Sequence, residues 1–166
     1  MDEKTHARQM SPLTLAFLGD AVFELRVREK LAEKGSAPVG ALHRRAVNVV
    51  CAKAQCVAAE AIAPLLTEEE TAIYKRGRNS HSSVPKNADP SEYRSATGLE
   101  ALFGYLHLCG DKQREAELFE AVWGEKFLDS NNTVMTHIAR IREKMNEPAR
   151  RPKYIKTVWG VGYAIE

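Results

Sequence analysis

The sequence predicts an all-α body followed by a short α+β tail, and three observations carry that prediction. Apolar residues recur at helical spacing through about residues 13–123, with cap and stop residues between the runs. No convincing strand pattern occurs before about residue 123. Beyond it, a turn-rich stretch, "EKFLDSNN", precedes one amphipathic helix and a β-branched, aromatic segment interrupted by Gly160 and Gly162. A chain of 166 residues suits one domain of ordinary size, or a small domain with an appendage. Its 44% hydrophobic content is enough to bury a core, which excludes wholesale disorder.

The elements follow in order. Ser11-Pro12 supplies a cap and a proline at the first helical position, and Gly35 supplies a stop, so "LTLAFLGDAVFELRVREKLAEKG" is a helix. Residues 39–66 are alanine-rich and helical in pattern. Thr67 with Glu70 forms a capping box that opens a helix ending at Arg76-Gly77. Residues 76–95, "RGRNSHSSVPKNADPSEYRS", read as a long polar, basic loop, and structureless stretches of that length are usually functional or mobile. "ATGLEALFGYLHLCG" and "DKQREAELFEAVWG" add two helices. In the tail, residues 132–146 form an amphipathic helix with Val134, Ile138, Ile141 and Met145 on one face, and residues 154–165 a β-hairpin. The domain division is 1–123 and 124–166.

The net charge of +2 implies no partner by itself, but its distribution is uneven. Residues 1–123 carry a net charge of −1 and residues 124–166 a net charge of +3. Cys51, Cys56 and Cys109 show no CxxC spacing, and the first two, in an alanine- and valine-rich run, read as small core hydrophobes of a reducing compartment. The opening "MDEKTHARQM" is polar, unlike a secretory leader, and no apolar run approaches the ~18 residues of a membrane span. A cytoplasmic protein is expected.

Two acids stand out. Asp20 lies in "LTLAFLGDAVFEL" and Glu100 in "TGLEALFGYL", each alone in an apolar helical stripe where desolvating a carboxylate is costly. A hard divalent cation held by oxygens of facing helices would compensate both, with Gly19, Gly98 and Gly104 allowing close approach. Two alternatives stay open. Asp20 can pair with Arg94 or another arginine, and Thr97-Gly98-Leu99-Glu100 matches a capping box. Between the two acids in sequence lie Lys75, Arg76, Arg78, His81 and Lys86. A solvated surface explains such a loop on its own. Beside a carboxylate–Mg²⁺ pair it is what a nuclease needs to hold a phosphate backbone.

At these residues the chain resembles the ribonuclease III family. "LTLAFLGDAVFELRVREKL" is similar to its signature segment, and "KRGRNS…PKNADPSEYRSATGLEALFGYLHL" to the stretch holding its second acidic cluster. The likeness is to the Mini-III branch, short bacterial ribonucleases without a double-stranded-RNA-binding domain, and runs over about residues 8–122. The resemblance implies an all-α ribonuclease III catalytic-domain fold and a homodimer acting on double-stranded RNA in 23S ribosomal RNA maturation. It implies Asp20 and Glu100 as catalytic metal ligands for Mg²⁺, with Mn²⁺ as a substitute. It also implies RNA contacts from Lys75, Arg76, Arg78, Asn79 and Lys86. Where larger members carry two further acids, this chain has Ala16 and Thr97. A basic loop without an aromatic array suits duplex RNA, which is read by shape and phosphates, better than single strands.

Residues from about 115 onward resemble a different family, the end of an OmpR/PhoB-type response-regulator effector domain. "NNTVMTHIARIREKM" is similar to its recognition helix and "YIKTVWGVGYAIE" to its wing, so the tail is expected to be a partial winged-helix appendage. The four-stranded sheet and first helix that precede these elements in that family have no counterpart here. DNA contact would fall to Thr136, Arg140, Arg142 and Lys144, although Trp159 and Ala164 stand where basic residues often sit in the wing. A solvated face of an amphipathic helix explains those side chains more simply.

Overall fold

The structure is a computed structural model, and it describes residues 3–80, 83–123, 138, 141–142, 144–145, 154–158 and 162–165. The chain divides into two compact units, Met1–Val122 and Trp123–Glu166. Helices α1 (Glu3–Gln9), α2 (Pro12–Glu33), α3 (Val39–Val50), α4 (Ala52–Ile62), α5 (Glu68–Arg78), α6 (Pro90–Leu108) and α7 (Lys112–Trp123) follow in order, all in the first unit save Trp123, the last residue of α7. Among the described residues no strand occurs before β1 (Ile155–Val158), which pairs antiparallel with β2 (Gly162–Ile165) in the second unit.

Local chemistry sets the boundaries. The Ser11 side chain accepts from the Thr14 backbone N–H, and Pro12 opens α2. Gly35, just past its end, adopts a φ of 108°, a left-handed conformation that suits glycine. The Thr67–Glu70 capping box is complete, with Glu70 accepting from the Thr67 backbone N–H at 2.8 Å and Thr67 from that of Glu70 at 3.2 Å. Asp89 caps α6 by accepting from the backbone N–H of Ser91 and Glu92, and Pro90 follows it at the first position.

Helix α6 is the hub. It packs against α2, α4 and α5, and its buried residues run almost without a break from Ser95 to Leu106, the all-round burial of a central helix. Phe23 of α2, Phe103 of α6 and Phe119 of α7 meet edge-to-face, with centroids 5.2 to 6.5 Å apart. Two buried acids are compensated. Glu115, 2% exposed, accepts from Arg26 at 2.8 Å and lies 3.1 Å from the His107 ring. Glu70 receives both arms of Arg114, whose guanidinium also reaches the Leu65 carbonyl.

Several expectations are corrected. The run 39–66 is not one helix. Cys51 is extended (φ −69°, ψ 152°), which breaks it into α3 and α4 at a bend of 54°, and Ala63–Leu65 form a 3-10 turn. Cys51 is consequently exposed and Cys56 only half-buried, so neither is a core hydrophobe. The basic loop is shorter than residues 76–95, because α5 continues to Arg78 and α6 already begins at Pro90. Thr97 lies in the interior of α6, with its hydroxyl donating to the Tyr93 carbonyl at 3.0 Å, so Thr97 and Glu100 are not a capping box.

In the second unit, helical backbone occurs at residues 138, 141, 142 and 144, and Arg142 Nε donates to the Ile155 carbonyl at 3.1 Å. The expected linker 124–131 and most of the expected helix 132–146, Thr136 and Arg140 included, lie outside the described residues. Among the described residues no single helix is long and apolar enough to cross a membrane, although α3 and α4 with the following turn pass by length and composition as a bent pair.

Candidate active site

The site begins with two glycines. Gly19 of α2 and Gly104 of α6 let the two backbones touch. A Cβ on Gly19 would lie 1.7 Å from the Glu100 carbonyl oxygen, and one on Gly104 would lie 2.0 Å from that of Leu15. This approach brings the next residue of α2, Asp20, beside Glu100. Both line one cavity of about 310 Å³, together with Leu13, Ala16, Phe17, Tyr93 and Thr97. Ala16 and Thr97, the two positions singled out in the sequence beside these acids, therefore line the same space.

Asp20 is not within the buried stripe expected for it. That stripe of α2 is Leu15, Ala16, Gly19, Val22, Phe23, Val27 and Leu31, and Asp20 stands exposed at its edge while Glu100 is half-buried. The cost of their charges remains visible. Partial burial, aided by Glu24, raises the Asp20 carboxyl above its ordinary value. Burial, then the Asp20 charge, pushes Glu100 up to about 7, against a smaller lowering by the Gln55 amide. Among the described residues neither acid forms an ion pair, with Arg94 or any other cation. Two carboxylates left without a counter-charge, in one open cavity, form a cation-seeking arrangement.

The basic residues fall at the end of α5, in the loop that follows it and at the start of α6. Lys75, Arg78, Asn79 and Lys86 are exposed. Arg78, Asn79 and Ser80 share a second cavity, of about 640 Å³, with Asp89, Pro90, Ser91 and Arg94. Arg94, a candidate partner for Asp20 by sequence, instead lines the same cavity as Arg78. Arg76 turns back to donate to the carbonyls of Arg8 and Met10, both at 2.8 Å, and so ties the end of α1 and the turn after it to α5. His81 lies outside the described residues. In the second unit Lys144 is exposed and Arg142 is engaged with Ile155.

The model of the ribonuclease III domain matches residues 13–111, more than half of the chain and spanning both acids. This chain belongs to the ribonuclease III family. It is 48% identical over 113 residues to the Mini-ribonuclease 3 of Symbiobacterium thermophilum, covering 68% of this chain and 87% of that one. It is 46% identical to that of Enterococcus faecalis, covering 67% and 86%. An X-ray crystal structure of a Fusobacterium nucleatum protein superposes with a TM-score of 0.64 at 33% identity, covering 69% of this chain and 93% of that one. The chain is thus a ribonuclease III-type endonuclease of double-stranded RNA, of the Mini-III group. Its tail has a separate kinship. Residues 110–165 match the C-terminal domain of transcriptional regulatory proteins. Over 49 residues the chain is 76% identical to the Regulatory protein VanRc of Enterococcus gallinarum, but this covers only 21% of that protein.

Proposed function

We propose that the chain is a Mg²⁺-dependent endoribonuclease, active as a homodimer, in which Asp20 and Glu100 hold the metal. The observation that carries this is the meeting of two uncompensated carboxylates from α2 and α6 in one cavity. The donor set fits the ion. Among the described residues no group of three or more His, Cys, Asp or Glu is assembled for a metal, so the site offers two carboxylates. Mg²⁺ commonly takes one or two and fills its shell with water and substrate phosphate. Mn²⁺ has the same preference for oxygen and is the expected substitute. When bound, Mg²⁺ supplies the positive charge that activates the attacking water and stabilises the leaving oxygen.

The chain's own residues do the rest. Asp20 and Glu100 fix the position of that charge. Lys75, Arg78, Asn79 and Lys86, joined by Arg94, meet phosphates of the duplex, whose A-form offers backbone rather than base edges to a reader. Arg76 adds its charge from its anchored position. The homodimer is supported by Phe17, 83% exposed, and Leu13, 42% exposed, beside the cavity, an apolar patch of the kind that marks a protein interface. A 23S ribosomal RNA precursor as substrate rests on membership in the Mini-III group.

The tail's likeness to transcriptional regulators supports a second reading, DNA binding through Thr136, Arg140, Arg142 and Lys144. The bond from Arg142 to Ile155 assigns that residue a role within its own unit first.

Labelled duplex RNA and duplex DNA, each with and without Mg²⁺, separate the two readings. Metal-dependent cleavage of RNA is expected, with Asp20→Asn abolishing cleavage while retaining RNA binding. Cleavage by Asp20→Asn at the unmodified rate contradicts the proposal, and tight sequence-dependent DNA binding without cutting favours the second reading.

A further inference from the structure

The cavity that holds Asp20 and Glu100 is short of hydrogen-bond donors. Besides the two acids it is lined by three apolar side chains and by Tyr93 and Thr97. The Thr97 hydroxyl donates to the Tyr93 carbonyl at 3.0 Å, so its single hydrogen is already engaged within α6. That leaves the phenol of Tyr93. Tyr93 is half-buried, and its hydroxyl forms no hydrogen bond among the described residues. The other two tyrosines of the first unit differ. The Tyr74 hydroxyl lies 2.8 Å from that of Ser95, and Tyr105 donates to Glu69 at 2.7 Å. Those two hydroxyls hold helices together, whereas that of Tyr93 holds nothing.

Helical spacing explains the placement. Tyr93, Thr97 and Glu100 stand at positions i, i+4 and i+7 of α6, on one face of the helix. The next residue, Arg94, lines the neighbouring cavity with Arg78. Adjacent residues of α6 therefore serve the acidic cavity and the basic one, and a phosphate chain that runs from one to the other passes Tyr93. Two carboxylates repel a phosphate. A neutral O–H beside them attracts a phosphate oxygen without forming an ion pair with either acid, which a lysine or arginine at the same place would do. As water attacks the phosphorus, negative charge collects on the non-bridging oxygens, and a donor already in place gains strength in the transition state.

We propose that Tyr93 is a further catalytic residue: its hydroxyl, the unengaged donor of the cavity between α2 and α6, donates to a non-bridging oxygen of the phosphate being cleaved. The proton stays on the phenol, which acts as neither acid nor base. This rests on the reading of Asp20 and Glu100 as the place of cleavage.

The test compares the full chain with Tyr93→Phe, which keeps the ring and removes only the hydroxyl. Single-turnover cleavage of duplex RNA is expected to fall about 10- to 100-fold, the worth of one hydrogen bond to a charged group. Thermal unfolding, duplex-RNA affinity in chelator and Mn²⁺ binding without RNA, followed by the free-ion electron paramagnetic resonance signal, are expected to stay unchanged. The decisive substrate carries sulfur in place of one non-bridging oxygen at the cleaved phosphate, in each of the two configurations. In one configuration sulfur should slow the unmodified chain more than it slows Tyr93→Phe, because the variant has no hydrogen bond left to weaken. A purely structural role would lower the unfolding temperature and leave the sulfur effect equal in both proteins, and that result overturns the proposal. Cleavage by Tyr93→Phe at the unmodified rate also overturns it. If 2′-deoxy substitution at the cleaved nucleotide, rather than sulfur, loses its effect in Tyr93→Phe, the hydroxyl reads the sugar and the phosphate contact is wrong. Unimpaired cleavage by Tyr93→Phe alone defeats only this proposal, whereas unimpaired cleavage by Asp20→Asn defeats the reading of the acids and this proposal with it.

Discussion

Glu100 shows how the site stores an electrostatic cost. Burial and the Asp20 charge raise its carboxyl from 4.5 to about 7. In the metal-free folded chain Glu100 is therefore protonated at pH values where the unfolded chain is ionised. Its contribution to stability is complete below the unfolded value and is lost as pH rises through the folded one. Without divalent metal, the unmodified chain should lose unfolding temperature between about pH 5 and about pH 8 more steeply than Glu100→Gln, which has no charge to bury. Parallel profiles of the two in a thermal melt would contradict this account. Asp20 and Glu100 were legible in the sequence because lone acids in apolar helical runs demand a reason. The Thr97–Glu100 spacing was misleading because any threonine three residues before a glutamate within a helix fits a capping box. The true cap, Asp89, is decided by which residue turns away from helical geometry.

Among the elements, the crossing of α2 over α6 positions the site, and Gly19 sets its depth. Because a Cβ there would fall 1.7 Å from the Glu100 carbonyl, Gly19→Ala forces the helices apart. It should destabilise the fold by about 1–3 kcal/mol, read as a lower urea midpoint, and separate the two acids so that cleavage falls with it. An unchanged midpoint would mean that the helices do not approach so closely. If the ends of α5 and α6 meet the phosphates as proposed, Arg78→Ala should weaken duplex-RNA binding uniformly across sequences. It should also lower the slope of log affinity against log salt by about one. An unchanged slope would remove Arg78 from the interface. Caps at Ser11 and Thr67 are local chemistry and were readable; the break at Cys51 was not, because no glycine or proline marks it and the two helices separate only as α3 packs on α2 and α4 on α6.

At the scale of the whole molecule, the chain joins two kinds of sequence, and each was recognisable by its own motifs, since two families leave different periodicities and turn residues in the two parts. Assembly as a homodimer is expected from the resemblance and proposed above, with the exposed Phe17 as the side chain that supports it. With Phe17 83% exposed on α2, the unmodified chain should have the mass of a dimer by light scattering, and Phe17→Ser should shift it toward the monomer and reduce cleavage. A dimer unaffected by Phe17→Ser would place the interface elsewhere. The account depends most on the two carboxylates of α2 and α6 jointly holding a cation. Anomalous scattering from crystals soaked in Mn²⁺ tests this directly: a peak bridging the carboxylates of Asp20 and Glu100 is expected, and occupied Mn²⁺ sites elsewhere with none between these two side chains would contradict it.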